Sequence, residues 1–135
     1  MVTTRIRQRS ACTALALTAL GAALLATAPA ALAATVIEVP SASSTAVAVD
    51  YSCDPDAGVT AIQVLVGDPN ADHPSAQGTP VTPTCDGGRH RASIALSAAV
   101  GGGPLSSGQT VQVRAGLLDE NQMVIKGTAR VLALE

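Results

Sequence analysis

The amino-acid sequence predicts an all-β domain of about seven antiparallel strands closed by one disulfide. Three observations lead there. Beyond residue 34, apolar side chains recur with period two and nowhere with helical spacing. Clusters of Asp, Pro and Gly interrupt that alternation about every ten residues. Two cysteines, Cys53 and Cys85, lie inside the alternating region.

The strands follow in order. Residues 35–39 form a short β-branched run that Pro40 is expected to stop. Residues 45–53 place Val47, Val49, Tyr51 and Cys53 on one face and small or polar residues on the other. Asp54, Pro55, Asp56, Ala57 and Gly58 make a turn, with Pro presetting φ and Gly free to take positive φ. Residues 59–66 put Ile62, Val64 and Val66 on a shared face. Residues 67–77 hold two prolines and no apolar residue larger than Ala, which predicts the longest loop. Residues 78–85 read as a short edge strand, because Pro80 and Pro83 cannot donate to a ladder.

After a turn at Asp86, Gly87 and Gly88, residues 89–96 alternate cleanly, with His90, Ala92, Ile94 and Leu96 against Arg91, Ser93 and Ala95. Residues 101–104 are a flexible connection. Residues 110–118 place Val111, Val113, Ala115 and Leu117 inward and Gln112 and Arg114 outward. Residues 119–122 make a hairpin turn, and residues 123–134 form the last strand. Its apolar face changes phase near Gly127, where a bulge is expected. This pattern predicts an immunoglobulin-like antiparallel β-sandwich rather than a barrel.

The N-terminal segment has a different character. Arg5, Arg7 and Arg9 stand in a stretch without acids, followed by the uncharged Ala- and Leu-rich run 11–28. Pro29 and the small-x-small motif Ala31, Leu32, Ala33 complete a signal peptide, residues 1–33, with cleavage after Ala33 or Ala34. Arg5 and Arg7 are separated by Ile6, so the twin-arginine signature is absent and general secretion is expected. Cys12 precedes the apolar run and leaves with the peptide rather than serving as a lipoprotein cysteine. Residues 34–135 then form a single secreted domain. Cleavage removes three of eight basic residues and none of ten acids, taking the net charge from −2 to −5. That balance argues against nucleic acid or an anionic membrane as partner, and no transmembrane anchor is expected after cleavage.

Residues 34–135 contain no Phe or Trp, and Tyr51 is their only tyrosine. A core of Val, Ile, Leu and Ala buries less area per side chain than one with aromatic anchors. Such a domain benefits from a covalent staple. Two cysteines in an oxidising compartment allow one intramolecular pairing, Cys53–Cys85. Closing that loop is worth about 3 to 4 kcal/mol in the chain-entropy model. The pair is not the C-x-x-C of redox proteins.

Tyr51, Ser52 and Cys53, then Cys85, Asp86 and Gly87, then Gly108 through Val111 and Val113 to Ala115, carry a resemblance. The chain resembles small secreted actinobacterial β-sandwich proteins of uncharacterised function with a Y-x-C, C-x-G and G-x-x-V-x-V-x-A pattern, over roughly residues 45–134. The resemblance implies an extracellular or cell-envelope domain and no activity. The enediyne chromoprotein apoproteins are a more distant parallel in size and fold. Those have two disulfides, where this chain can form one.

Several motifs bear on chemistry. Asp54, Asp56 and Gly58 begin like a calcium loop but lack the remaining ligands. Asp68, Asp72 and His73 are three possible ligands in the long loop, although such loops carry Asp for turn chemistry alone. His90 is expected on the Ile94 face, away from Arg89 and Arg91. No G-x-S-x-G elbow occurs, and the scarcity of aromatic rings argues against stacking on sugars or bases. The reading is therefore a non-enzymatic extracellular or cell-wall binding or interaction module without cofactor, metal ligands or catalytic residues, its contacts mounted on residues 67–77. The alternative is a small-ligand carrier with a cleft between or beside the sheets. A hydrolase using His73 or His90 ranks third.

Overall fold

The computed structural model describes residues 35–135. The expected signal peptide, with Arg5, Arg7, Arg9 and its cleavage motif, lies outside the described residues. Seven strands are present: β1 Val36–Ala42, β2 Ala46–Ser52, β3 Ala61–Gly67, β4 Ala76–Gly78, β5 Arg89–Ala98, β6 Thr110–Leu118 and β7 Val124–Ala133. Every pairing is antiparallel, and the spatial order is β1-β2-β5-β4-β3-β6-β7.

The hydrogen bonds join all seven strands into one continuous order. The first seven residues of β5 pair with β2, from Arg89↔Ser52 to Ala95↔Ala46. The next three pair with β4, from Leu96↔Gly78 to Ala98↔Ala76. One long strand thus carries the ladder round a corner, and the seven strands make a nearly closed, barrel-like sheet. The remaining seam lies between β1 and β7. There Arg130 Nη1 donates to the carbonyl of Val39 at 2.7 Å, and the Glu135 amide donates to the carbonyl of Ala42 at 2.9 Å.

Alternation decides the core. Val47, Val49, Tyr51 and Cys53 from β2 and its end, Ile62, Val64 and Val66 from β3, and Val111, Val113, Ala115 and Leu117 from β6 are all buried. Ile37, Ile94 and Leu134 join them. The core contains one aromatic ring, Tyr51, and is otherwise aliphatic, apart from the Cys53 sulfur. The disulfide Cys53–Cys85 is formed, with the two Cα atoms 4.7 Å apart. Beside it, the Tyr51 hydroxyl accepts a hydrogen bond from the Thr84 amide at 2.9 Å. Covalent bond and hydrogen bond together hold the segment before β5 against the end of β2.

Three expectations are corrected. Pro40 does not end β1: the register jumps from Glu38↔Asp50 to Ser41↔Ala48, so a bulge absorbs the proline and the strand continues to Ala42. The fourth strand is Ala76–Gly78 rather than residues 78–85. At Gly78 it lies against Val64 and Ile94, where a Cβ would stand 2.6 Å from Ile94 Cγ2, so that position takes glycine. Residues 79–85 keep a single bridge, Val81↔Ile62. Finally, the β7 bulge is at Ile125, between the Lys126↔Leu117 and Val124↔Leu118 pairs. Gly127 itself sits in regular register opposite Gly116.

Candidate binding site

The two exterior faces of the sheet differ sharply. On β1-β2-β5, outward positions hold charges that neutralise one another. Arg91 grips Asp50 with two bonds, Nε–Oδ1 at 2.6 Å and Nη2–Oδ2 at 2.9 Å, and Arg89 reaches Glu38 at 3.3 Å. The Arg91 hydrogen bond is the main cause that holds the Asp50 carboxyl below the usual carboxylate range.

On β3-β6-β7 the outward positions form four cross-strand rows. They read Gly67, Gln112, Val131; Leu65, Arg114, Ala129; Gln63, Gly116, Gly127; and Ala61, Leu118, Val124. This face is mostly small and apolar, although Val124 and Val131 are 64% and 54% exposed. In the third row two glycines face each other across β6 and β7, so neither contributes a side chain, and the Val124 methyl lies beside both. Glycines paired inside strands mark a place where another molecule can approach closely. The result is a groove of about 290 Å³, floored by Gly116 and Gly127 and walled by Leu65, Leu118, Val124 and Ala129.

A second, polar recess of about 220 Å³ opens at the Gly67 end. It is built by the loop after β3, which doubles back so that the Ser75 amide donates to the carbonyl of Val66 at 2.8 Å. Within the loop, Asp68 Oδ1 accepts the Asn70 amide at 2.8 Å, and the Ala71 amide donates to the carbonyl of Asp68 at 3.1 Å. Asp68, Asp72 and His73 line the recess from the loop, and Gln112 and Arg114 line it from β6. Leu65 and Arg114 belong to both cavities. Arg114 is also the one arginine among the described residues whose side chain has no hydrogen-bond or ion-pair partner.

The 54–58 segment is a turn, closed by the Ala57 amide on the carbonyl of Asp54 at 3.1 Å. His90 lies on the Ile94 face opposite Tyr51, with ring centroids 5.8 Å apart. Its Nε2 meets Asp86 Oδ1 at 2.8 Å, and that contact is the largest cause lowering the Asp86 carboxyl below its ordinary range. His90 and Asp86 thus tie the turn after Cys85 to β5, at the opposite end of β5 from the stretch that pairs with β4. Among the described residues no three His, Cys, Asp or Glu side chains converge on a point that could hold a metal ion.

Reading residues 67–77 as a contact loop located one wall of the polar recess and missed the groove beside it. A signal was present. Apolar residues occupy both alternating phases of β7, with Ile125 and Val131 in one and Val124 and Leu132 in the other. A strand with one wet face has no need of the second set. Among the described residues no helix is long and apolar enough to cross a membrane. Comparison of the chain with protein-family models, with curated proteins and with solved structures gives no match.

Proposed function

We propose that the chain is an exported, non-enzymatic binding module of the extracellular space or cell envelope, and that it takes a small ligand on the outer face of β3-β6-β7. The observation that carries this reading is the groove floored by Gly116 and Gly127 and adjoined by the polar recess. Small-molecule sites combine an apolar body with a few placed polar groups, at volumes of about 300 Å³ and upward. This groove lies at the lower bound of that range. Export is supported by the arginines and apolar run of residues 1–33, and the disulfide accords with an oxidising compartment. The acidic balance speaks against nucleic acid. A non-catalytic role is favoured because His73 and His90 lie in separate parts of the fold, His90 against a carboxylate within its own turn. The strand order also supports an immunoglobulin-like reading, with β1-β2-β5 and β4-β3-β6-β7 as two sheets joined along β5. The likeness to small secreted actinobacterial sandwich proteins stands on the same footing.

A thermal-shift measurement with the low-molecular-mass fraction of native culture medium tests the function. A ligand at about 100 times its Kd stabilises the folded chain by about 2.7 kcal/mol, which for a domain of this size raises Tm by roughly 10 °C or more. The wild type is expected to respond and a Gly116→Val variant to stay flat. Equal responses in both proteins, or none in the wild type across all fractions, would overturn the reading.

A further inference from the structure

Resting on that binding site, we infer that its ligand is a small amphipathic anion, with its anionic group on Arg114 and a flat apolar body lying over Gly116 and Gly127.

Five basic side chains stand among the described residues, and three of them are committed. Arg89 and Arg91 are held by Glu38 and Asp50, and Arg130 is spent on the Val39 and Pro40 carbonyls. Arg114 and Lys126 have no such side-chain partner. Lys126 pairs with Leu117 in the ladder, in the opposite phase of β7 from Gly127 and Ala129. Arg114, in contrast, stands between Leu65 and Ala129 and lines both the groove and the recess. A guanidinium offers five donors and no acceptor, and it forms paired bonds with carboxylate, sulfonate or phosphate oxygens. An arginine on a wet surface gains little from an ion pair. One bordering an apolar groove gains more once a ligand displaces the water.

The placement of the acids gives the ligand its direction. Asp68 and Asp72 line the polar recess and not the glycine-floored groove. They oppose an anion that enters the recess, so the anionic group stays at Arg114 and the apolar body turns the other way. The floor suits a flat body, since the Gly116–Gly127 row has no Cβ and its neighbours Ala129 and Leu118 form low walls. Attraction is local. The described residues hold five basic and ten acidic side chains, so the protein as a whole repels anions. Selectivity for an anion must then come from Arg114 itself.

Two dyes with nearly the same aromatic body separate the claims: anilinonaphthalene sulfonate, which is anionic, and N-phenylnaphthylamine, which is neutral. Both are titrated by fluorescence into the secreted chain, with circular dichroism and Tm recorded for each variant. The sulfonate is expected to bind about tenfold tighter than the neutral dye, Arg114→Gln to bring that ratio to about one, and Gly116→Val to abolish both. If the wild type binds the two dyes equally, or Arg114→Gln keeps the preference, the anion assignment falls while the binding site stands. If neither dye binds the wild type, or light scattering shows the face closed by a second copy of the chain, the small-ligand site falls as well.

Discussion

Gly116 and Gly127 are direct partners across β6 and β7, and neither places a side chain on the outer face of the sheet there. The two are not equivalent. A Cβ at Gly116 would meet Val124 Cγ1 at 3.7 Å and Leu118 Cδ2 at 3.8 Å, which are ordinary contacts, whereas at Gly127 it would meet Val124 Cγ1 at 3.3 Å. Gly116→Val should therefore fold and gain up to about 1 kcal/mol from higher strand propensity. Urea denaturation is expected to show an unchanged or higher midpoint alongside lost ligand response. A marked drop in midpoint would mean that the glycine serves packing instead.

The disulfide closes a sequence separation of 32 residues. Replacing Cys53 and Cys85 together by Ser should cost about 3 to 4 kcal/mol. Guanidinium unfolding of the wild type with and without reductant checks this, and the reduced wild type should match the double variant.

Tyr51 supports the same junction through one hydrogen bond to the Thr84 amide. Tyr51→Phe keeps the ring and removes the acceptor, with an expected loss of about 1 kcal/mol. The loss should be smaller in the disulfide-free background, because the bond matters most where the segment is already tethered. A double-mutant cycle of unfolding free energies reads that coupling.

Acid sensitivity follows from Asp50. Its carboxyl, held below the ordinary value of 3.8 chiefly by the Arg91 hydrogen bond, stabilises the folded state fully above that value. The contribution disappears as pH falls through the lowered folded-state pKa. Asp50→Asn should be less stable than the wild type at neutral pH, and the difference should shrink to nothing in strong acid. Tm measured from pH 7 to pH 2 tests the sign; a gap that widens on acidification would refute it.

Gly78 permits β4 to pass over Ile94. Gly78→Ala puts a methyl 2.6 Å from Ile94 Cγ2 and 3.2 Å from Val64 Cβ. Overpacking of this kind costs about 1 to 3 kcal/mol. Ile94→Val in the same chain should recover part of the loss in a chemical-denaturation series, since losing the Cδ1 methyl gives the side chain room to turn its Cγ2 away from the new methyl.

Much of this fold is legible in the residues because a half-buried strand writes its burial into every second position. Val111, Val113, Ala115 and Leu117 announce β6 with its bounds, and Cys53 and Cys85 announce their bond by being the last two cysteines after position 12. Strand edges are less legible where backbone geometry outranks pattern. Pro40 reads as a stop, yet a bulge accommodates it. Ala76, Gln77 and Gly78 read as loop because the two buried positions, Ala76 and Gly78, are filled by small residues that carry no apolar periodic signal.

Alternation by itself determined the strand class, the inward residues and the single disulfide, since each depends on local spacing or on a count. Only the tertiary structure decided that β5 turns the ladder into a nearly closed sheet, and which residues share its outer face. Gly116 and Gly127 are 11 positions apart, and neither is unusual alone. They make a groove because antiparallel register sets them opposite one another, and Arg114 borders it because Leu65 and Ala129 arrive beside it from two other strands. Cross-strand register is a property of the folded sheet and not of any one segment, which is why the strands could be read in order and the groove between them could not.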